Sequence, residues 1–240
     1  MRDSQVDPWS LVVEGRLEEA VSAYTMLYSR DPSPDLLFNR GVLLLEMRRP
    51  DIALTDFRRL IQEEGPSTMP DGYLVFLGIC HWFLDSPQEA LLAWKRSLSA
   101  PYTDAGGGLE AEAVLLYAGT RLEDLDAVAE ARQALRSHQS ATGGSWHAAA
   151  TSFLLGNTTS VDLRTALSSV AHPALRARWE CQADFYDGIR ALSDSSRVRF
   201  SACMKKAASN RAAILEYGHH IGRWEETRGF PVPAFQIDGS

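Results

Sequence analysis

The sequence predicts an all-α solenoid: antiparallel helix pairs stacked in one domain spanning 1–240, with a C-terminal capping helix. Three observations predict it. Ala followed four residues later by an aromatic recurs as Ala20 and Tyr24, Ala53 and Phe57, and Ala90 and Trp94, at intervals of 33 and 37 residues. A glycine precedes the alanine by twelve positions in two of these, Gly41 before Ala53 and Gly78 before Ala90. Turn-forming strings fall between the two halves, as Glu14-Gly15-Arg16, Arg48-Arg49-Pro50 and Asp85-Ser86-Pro87. A fixed period marks units that cannot bury an apolar face alone and so must stack. Gly and Ala let two helices approach closely, and the aromatic fills the neighbouring gap.

The first unit covers 7–31. It has a short opening helix, a turn at Glu14-Gly15-Arg16 and a second helix over 17–29, stopped by Pro32. The second covers 34–64 and the third 71–100, each turning at its own string. Residues 104–108, Asp-Ala-Gly-Gly-Gly, read as a loop. The fourth unit, 109–138, keeps the spacing of twelve between Gly119 and Ala131. A shorter hairpin over 146–169 follows: a helix over 146–155 closed by Gly156-Asn157, then a helix over 161–169 capped by Ser160. The fifth unit, 175–208, carries Phe185-Tyr186-Asp187-Gly188 in its first helix. Twelve residues after Gly188 stands Phe200 instead of Ala, then Met204 and Ala207, which leaves its register open. A final helix over 211–227 covers the end of the stack. The tail 228–240 contains Pro231 and Pro233 and is expected to be extended.

Leu74, Leu77, Gly78 and His81 stand where a tetratricopeptide repeat has W-x-x-L-G-x-x-Y. On these residues and the Ala-to-aromatic spacing the chain resembles the tetratricopeptide-repeat family. The run Phe153-Leu154-Leu155-Gly156-Asn157 and the later Phe185-Tyr186-Asp187-Gly188 are similar to a branch of small bacterial repeat proteins, periplasmic lipoproteins that act as protease adaptors. That branch's signal peptide and lipid-bearing cysteine have no counterpart here.

The resemblance implies a right-handed superhelix whose first helices line a concave face. Groove positions on such helices fall at i, i+3 and i+7, one helical stripe. On the second repeat the partner-binding residues would be Phe38, Asn39, Val42, Leu45 and Glu46; on the third, Phe76, Ile79, Trp82 and Phe83. Asn39 matches a position where such repeats carry an Asn that bonds a peptide backbone, a role for an amide that both donates and accepts. Its equivalent in the third repeat is Phe76, and the basic residues of a carboxylate-clamping groove are absent there. The implied groove is apolar and aromatic, suited to an amphipathic helix or an apolar peptide. Trp82 and Phe83 have a second reading, as packing on the adjoining repeat or under the protein's own tail. Residues 229–235, Gly-Phe-Pro-Val-Pro-Ala-Phe, are read as folding back or as mediating a homodimer.

Composition narrows the function classes. The chain of 240 residues is 45% apolar, too apolar for a disordered segment. Lys plus Arg number 24 against 31 Asp plus Glu, a net charge of −7. That balance disfavours nucleic acid, which needs a basic face, and no polybasic run suits anionic lipid. No stretch approaches the roughly 18 apolar residues of a span. The opening MRDSQVDPWS has no charged-then-apolar pattern, so no signal peptide is expected. Cys80, Cys181 and Cys203 form no regular framework. A reduced, cytoplasmic protein with core-filling cysteines is the expectation.

Catalytic signals are weak. Cys80-His81 and His219-His220 are adjacent pairs, which point about 100° apart on a helix and do not readily share a metal. His81 takes its repeat's aromatic core position; His219-His220 are expected at the surface or in the cap. No G-x-S-x-G elbow and no G-x-x-x-x-G-K loop occur. Glu63-Glu64 and Glu225-Glu226 read as solvated faces. No catalytic residue, metal or cofactor is assigned. The expected function is a noncatalytic scaffold or adaptor for a protein or peptide partner. Two alternatives remain: a bacterial immunity protein or secretion chaperone masking one effector, its negative charge steering a basic toxin, and an enzyme of unknown type.

Overall fold

The computed structural model describes residues 7–65, 67–100, 109–139, 146–168 and 170–228. Six helical hairpins follow one another: α1 Pro8–Val13 with α2 Leu17–Arg30, α3 Pro34–Glu46 with α4 Pro50–Glu64, and α5 Asp71–Phe83 with α6 Pro87–Ser97. Then come α7 Glu110–Leu122 with α8 Leu125–Gln139, α9 Trp146–Leu155 with α10 Ser160–Ser168, and α11 Pro173–Ser193 with α12 Arg197–Ser209. A single 3-10 turn, Arg211–Ala213, leads to α13, Tyr217–Arg228. The fold is an all-α solenoid. Among the described residues no β-strand occurs.

Each hairpin closes the same way. One residue adopts a left-handed conformation: Gly15, Arg48, Asp85, Glu123, Gly156 and Ser195 in turn. The next backbone N–H then reaches the carbonyl five residues earlier, as Arg49 to Leu44 (2.8 Å), Ser86 to His81 (2.9 Å), Asp124 to Gly119 (2.8 Å) and Ser196 to Ala191 (2.8 Å). This ends the first helix and satisfies a carbonyl its last turn would leave open. Pro50 and Pro87 open their helices, where a missing N–H costs nothing.

Close approach within hairpins follows a spacing of sixteen. A Cβ on Gly41 would sit 2.8 Å from the Phe57 ring, and one on Gly78 would sit 2.2 Å from the Trp94 indole nitrogen. A Cβ on Gly188 would sit 2.1 Å from the terminal methyl of Met204. Met204 therefore fills the aromatic's place in the fifth unit, while Phe200 fills that of the alanine. The fourth unit departs from this: Gly119 faces Ala127 and the Val128 backbone.

Two local expectations are corrected. Ser160 is inside α10, and its hydroxyl donates to Asp187 (2.9 Å). Thr159 precedes the helix and exchanges hydrogen bonds with Asp162, a capping box that outcompetes a cap one residue later. The expected single helix over 211–227 is broken, because Glu216 is drawn into the core by Arg178 and by Gln182 (2.8 Å). The loop at 104–108 and the tail beyond Arg228 lie outside the described residues.

Consecutive hairpins pack in order, and α11 also reaches α7 and α9. The last of the described helices crosses the stack: α13 lies on α11 and α12 and touches α5. Ile214, just before it, joins Leu11, Ala20, Tyr24 and Leu43 of the first two hairpins. The C-terminal end thus returns to the N-terminal end across the inner side.

Trp94 is fully buried, and its indole N–H donates to the Val75 carbonyl (2.9 Å), so the ring is held on both sides. Replacing Gly78 with Ala is expected to cost about 1–3 kcal/mol by overpacking. Gly188→Ala should stay within about 1 kcal/mol of the parent, since the Met204 tip moves easily and Ala favours helix. Urea unfolding of the two variants checks the contrast.

Candidate functional site

The first helices α3, α5 and α7 face inward, and α13 sits against them. Of the nine stripe residues, Val42, Leu45, Phe76, Ile79, Trp82 and Phe83 are buried within the chain. Phe38, Asn39 and Glu46 are half-buried. Phe38 meets Phe57, Tyr73 and Phe76 with ring centroids 5.2–5.8 Å apart. Trp82 packs on Trp94 and Tyr117. The structure brings Phe38 and Phe76 together directly, and Glu46, Phe76 and Phe83 together through α13.

Each of those last three meets a side chain of α13. Phe83 stacks on Trp224 (4.4 Å between centroids, 14° between planes). Phe76 takes His220 edge-on at 5.9 Å. Glu46 accepts from the Nε2 of His219 (3.0 Å) and pairs with Arg223. Two further ties lie alongside. Asp85, the left-handed residue of the third hairpin, binds the Arg228 guanidinium through both oxygens. Glu225 accepts from the Tyr117 hydroxyl and pairs with Arg121 of α7 (3.3 Å). Next to them, a cleft of about 160 Å³ is lined by Trp82, Leu122, Trp224 and the ionic residues of these ties.

Several readings change. His219 and His220 are buried, at 1% and 2% exposure, and not at the surface. Glu225 is buried and ion-paired, so only Glu226 presents a solvated face. The cause is the same for all three: α13 is enclosed by α3, α5 and α7 on one side and by α11 and α12 on the other. The sequence signal was the pair Gly218 and Gly222, one turn apart, marking a face of close approach. Nothing local marked the opposite face as one that meets repeats some 140–180 residues earlier.

The electrostatics of the seam follow from burial. The Nε2 of His220 is 2.8 Å from the Ile214 carbonyl, which only accepts, so this ring nitrogen carries the proton. Burial pushes His220 down to about 3 from 6.5, helped by the nearby His219 and Arg223. Burial acts to raise Glu46, yet the hydrogen bond from His219 and the cations around it hold the carboxyl below 4.5. His219 spends Nε2–H on Glu46, and its Nδ1 is buried with no partner. Such an orphan costs on the order of 1–3 kcal/mol.

Elsewhere polar groups serve the stack. Arg40, between Asn39 and Gly41, clamps the buried Asp56 through two bonds (2.6 and 2.9 Å) and reaches Thr25 (3.0 Å), joining α2, α3 and α4. His172 caps α11 and His147 lies edge-on to Trp179; His81 is half-buried, and His138 lies outside the described side chains. Cys80 and Cys181 are buried and Cys203 half-buried; burial pushes the first two thiols well up, which makes them poor nucleophiles. Among the described residues no group of three metal-ligating side chains converges, and no helix is long and apolar enough to cross a membrane.

No family model and no curated protein matches the chain. Among solved structures it is similar to a tetratricopeptide repeat protein from Parabacteroides merdae ATCC 43184, at 18% identity and a TM-score of 0.45, covering 92% of this chain and 80% of that one.

The seam makes stability depend on pH in one direction. His220 stays neutral in the folded chain while the unfolded chain takes up a proton near 6.5, so its share is complete above that pH and is lost as pH falls toward 3. Glu46, held below its ordinary value, contributes above 4.5 and loses its share as pH falls through the folded value. Melting temperature should therefore decline from pH 6.5 downward. His220→Gln, which keeps a donor for the Ile214 carbonyl, should flatten the decline between 6.5 and 4.5. Calorimetry across this range checks it.

Proposed function

We propose that the chain is a noncatalytic scaffold that binds a protein or peptide partner on its concave side. The observation that carries this is the Phe38–Asn39 edge. Phe38 is half-exposed on an aromatic cluster already packed against Phe57, Tyr73 and Phe76. Beside it, Asn39 is half-buried and its amide hydrogen-bonds to no described residue. An anchor ring next to a donor–acceptor pair that no described residue engages suits recognition of a peptide backbone with one apolar side chain. These residues sit toward the start of α3, about 10 Å along the helix from Glu46, where α13 lies. A prepacked surface loses little freedom on binding, which favours affinity from a small patch. The net charge of −7 favours encounter with basic partners.

In this reading Val42, Leu45 and Ile79 support the surface from beneath. Phe76, Trp82, Phe83 and Glu46 become partner-facing only where α13 moves aside. The test is affinity capture from host extract with the full chain and with a Phe38→Ala/Asn39→Ala variant of matched circular dichroism. The partner retained by the parent should fall about tenfold or more on the variant. Equal retention by the two folded proteins would sink the assignment.

A further inference from the structure

The two long faces of α13 are attached in different ways. Toward α11 and α12 the backbone itself makes the contact. A Cβ on Gly222 would lie 2.6 Å from the Met204 carbonyl oxygen, and one on Gly218 would lie 2.9 Å from the Cβ of Phe185. Ile221 between them is fully buried. This face has no slack, so α11, α12 and α13 form one body.

Toward α3 and α5 the ties run mainly through side chains: His219 and Arg223 on Glu46, with Arg223 also reaching the Glu46 carbonyl (3.4 Å), His220 on Phe76, Trp224 on Phe83, and Arg228 on Asp85. The buried Nδ1 of His219, without a partner, lies in this same seam. Water entering an opened seam would satisfy that atom, so the closed arrangement leaves one polar group worse off than the open one. The α7–α11 packing, with Tyr117 on Phe185, joins the α11–α13 body to the inner helices and would serve as the pivot.

We propose that α13 is a latch over a second part of the binding surface, and that its opening admits a basic, aromatic helix from a partner. The occupant follows from what the seam presents. Two carboxylates, Glu46 and Asp85, stand at its ends, and two phenyl rings, Phe76 and Phe83, lie between them. A helix that fits carries a cation, an adjacent aromatic and a second cation five positions after the first, as Arg223, Trp224 and Arg228 do. Charge-assisted bonds at both ends fix its register, and ring stacking anchors the middle. The latch rests on the scaffold reading, and it names both the partner's chemistry and the control of access.

The test uses a fluorescein-labelled synthetic peptide copying residues 214–228, with Gln at the positions of Glu225 and Glu226, titrated into the full chain by anisotropy. A chain carrying Trp224→Ala and Arg228→Ala loosens the latch without touching the groove. It should bind the peptide about tenfold or more tighter than the parent. Adding Asp85→Lys to that chain should remove the gain. Equal affinity for parent and loosened chain, or a gain that survives Asp85→Lys, overturns the proposal. Should the loosened chain fail to fold, a chain with Asp85→Cys, Arg228→Cys and Cys203→Ser is titrated before and after bridging with a short bismaleimide. Bridging should abolish binding, and binding unchanged by the bridge overturns the proposal. The titration needs no natural partner, so its failure is distinct from failure of the Phe38 and Asn39 capture.

Discussion

The approach of Gly222 to the Met204 carbonyl sets the arrangement of everything around it. With no side chain at Gly222 or Gly218, α13 lies flush against α11 and α12, and any larger residue would displace the backbone. Once that face is placed, the opposite face is delivered to α3, α5 and α7. Glu216 fixes where the helix begins, because Arg178 and Gln182 hold its carboxylate in the core. Ile214 then falls among Leu11, Tyr24 and Leu43. A solenoid with open ends becomes one whose last helix spans its own inner side.

Closure redistributes charge and not only apolar area. The ties across the inner side are carboxylate-centred: Glu46, Asp85 and Glu225, each met by an Arg. The Glu46–Arg223 and Glu225–Arg121 pairs are largely buried, so desolvation offsets most of their attraction but breaking one partner is costly; the Asp85–Arg228 pair is exposed and adds little stability. They act on register. A helix turned by one residue would carry Trp224 off Phe83 and Arg223 off Glu46 together. The orphaned Nδ1 of His219 shows the opposite side of that bargain: enclosing two adjacent histidines leaves one nitrogen with nothing to bond.

Much of the stack was legible from spacing. Gly78 against Trp94 and Gly41 against Phe57 follow from a rule that needs only two residues on two helices of one hairpin. The turns were legible at Gly15 and Gly156 and where Pro50 and Pro87 follow Arg48 and Asp85, and harder to see at Glu123 and Ser195, whose residue types give no sign of the left-handed conformation. The fifth unit hid its register because Met204 does the packing of an aromatic without being one. The site was less legible for a different reason. A helical stripe says which residues share a face, and Phe76, Trp82 and Phe83 do lie on the inner side. It does not say what covers that face, since the cover comes from residues far along the chain whose own pattern, His-His-Ile-Gly-Arg-Trp, fits a terminal cap equally well.

The division of the inner side into an open and a covered part has a physical basis in side-chain reach. Phe38 and Asn39 lie near the start of α3, whereas His219 and Arg223 reach only as far as Glu46 at its end. The open part has one ring and one amide, enough to orient a peptide but small for lasting affinity. The covered part has two rings and two carboxylates, the richer anchor set, and it is already engaged within the chain. An incoming segment that held only the first part would bind weakly; one that also displaced α13 from the second would have to replace the stacking on Phe83 and the pairing at Glu46 and Asp85. On the latch proposal selectivity would arise from α13 itself, because a partner lacking that spacing of cations and aromatic offers nothing in exchange for the contacts it must break.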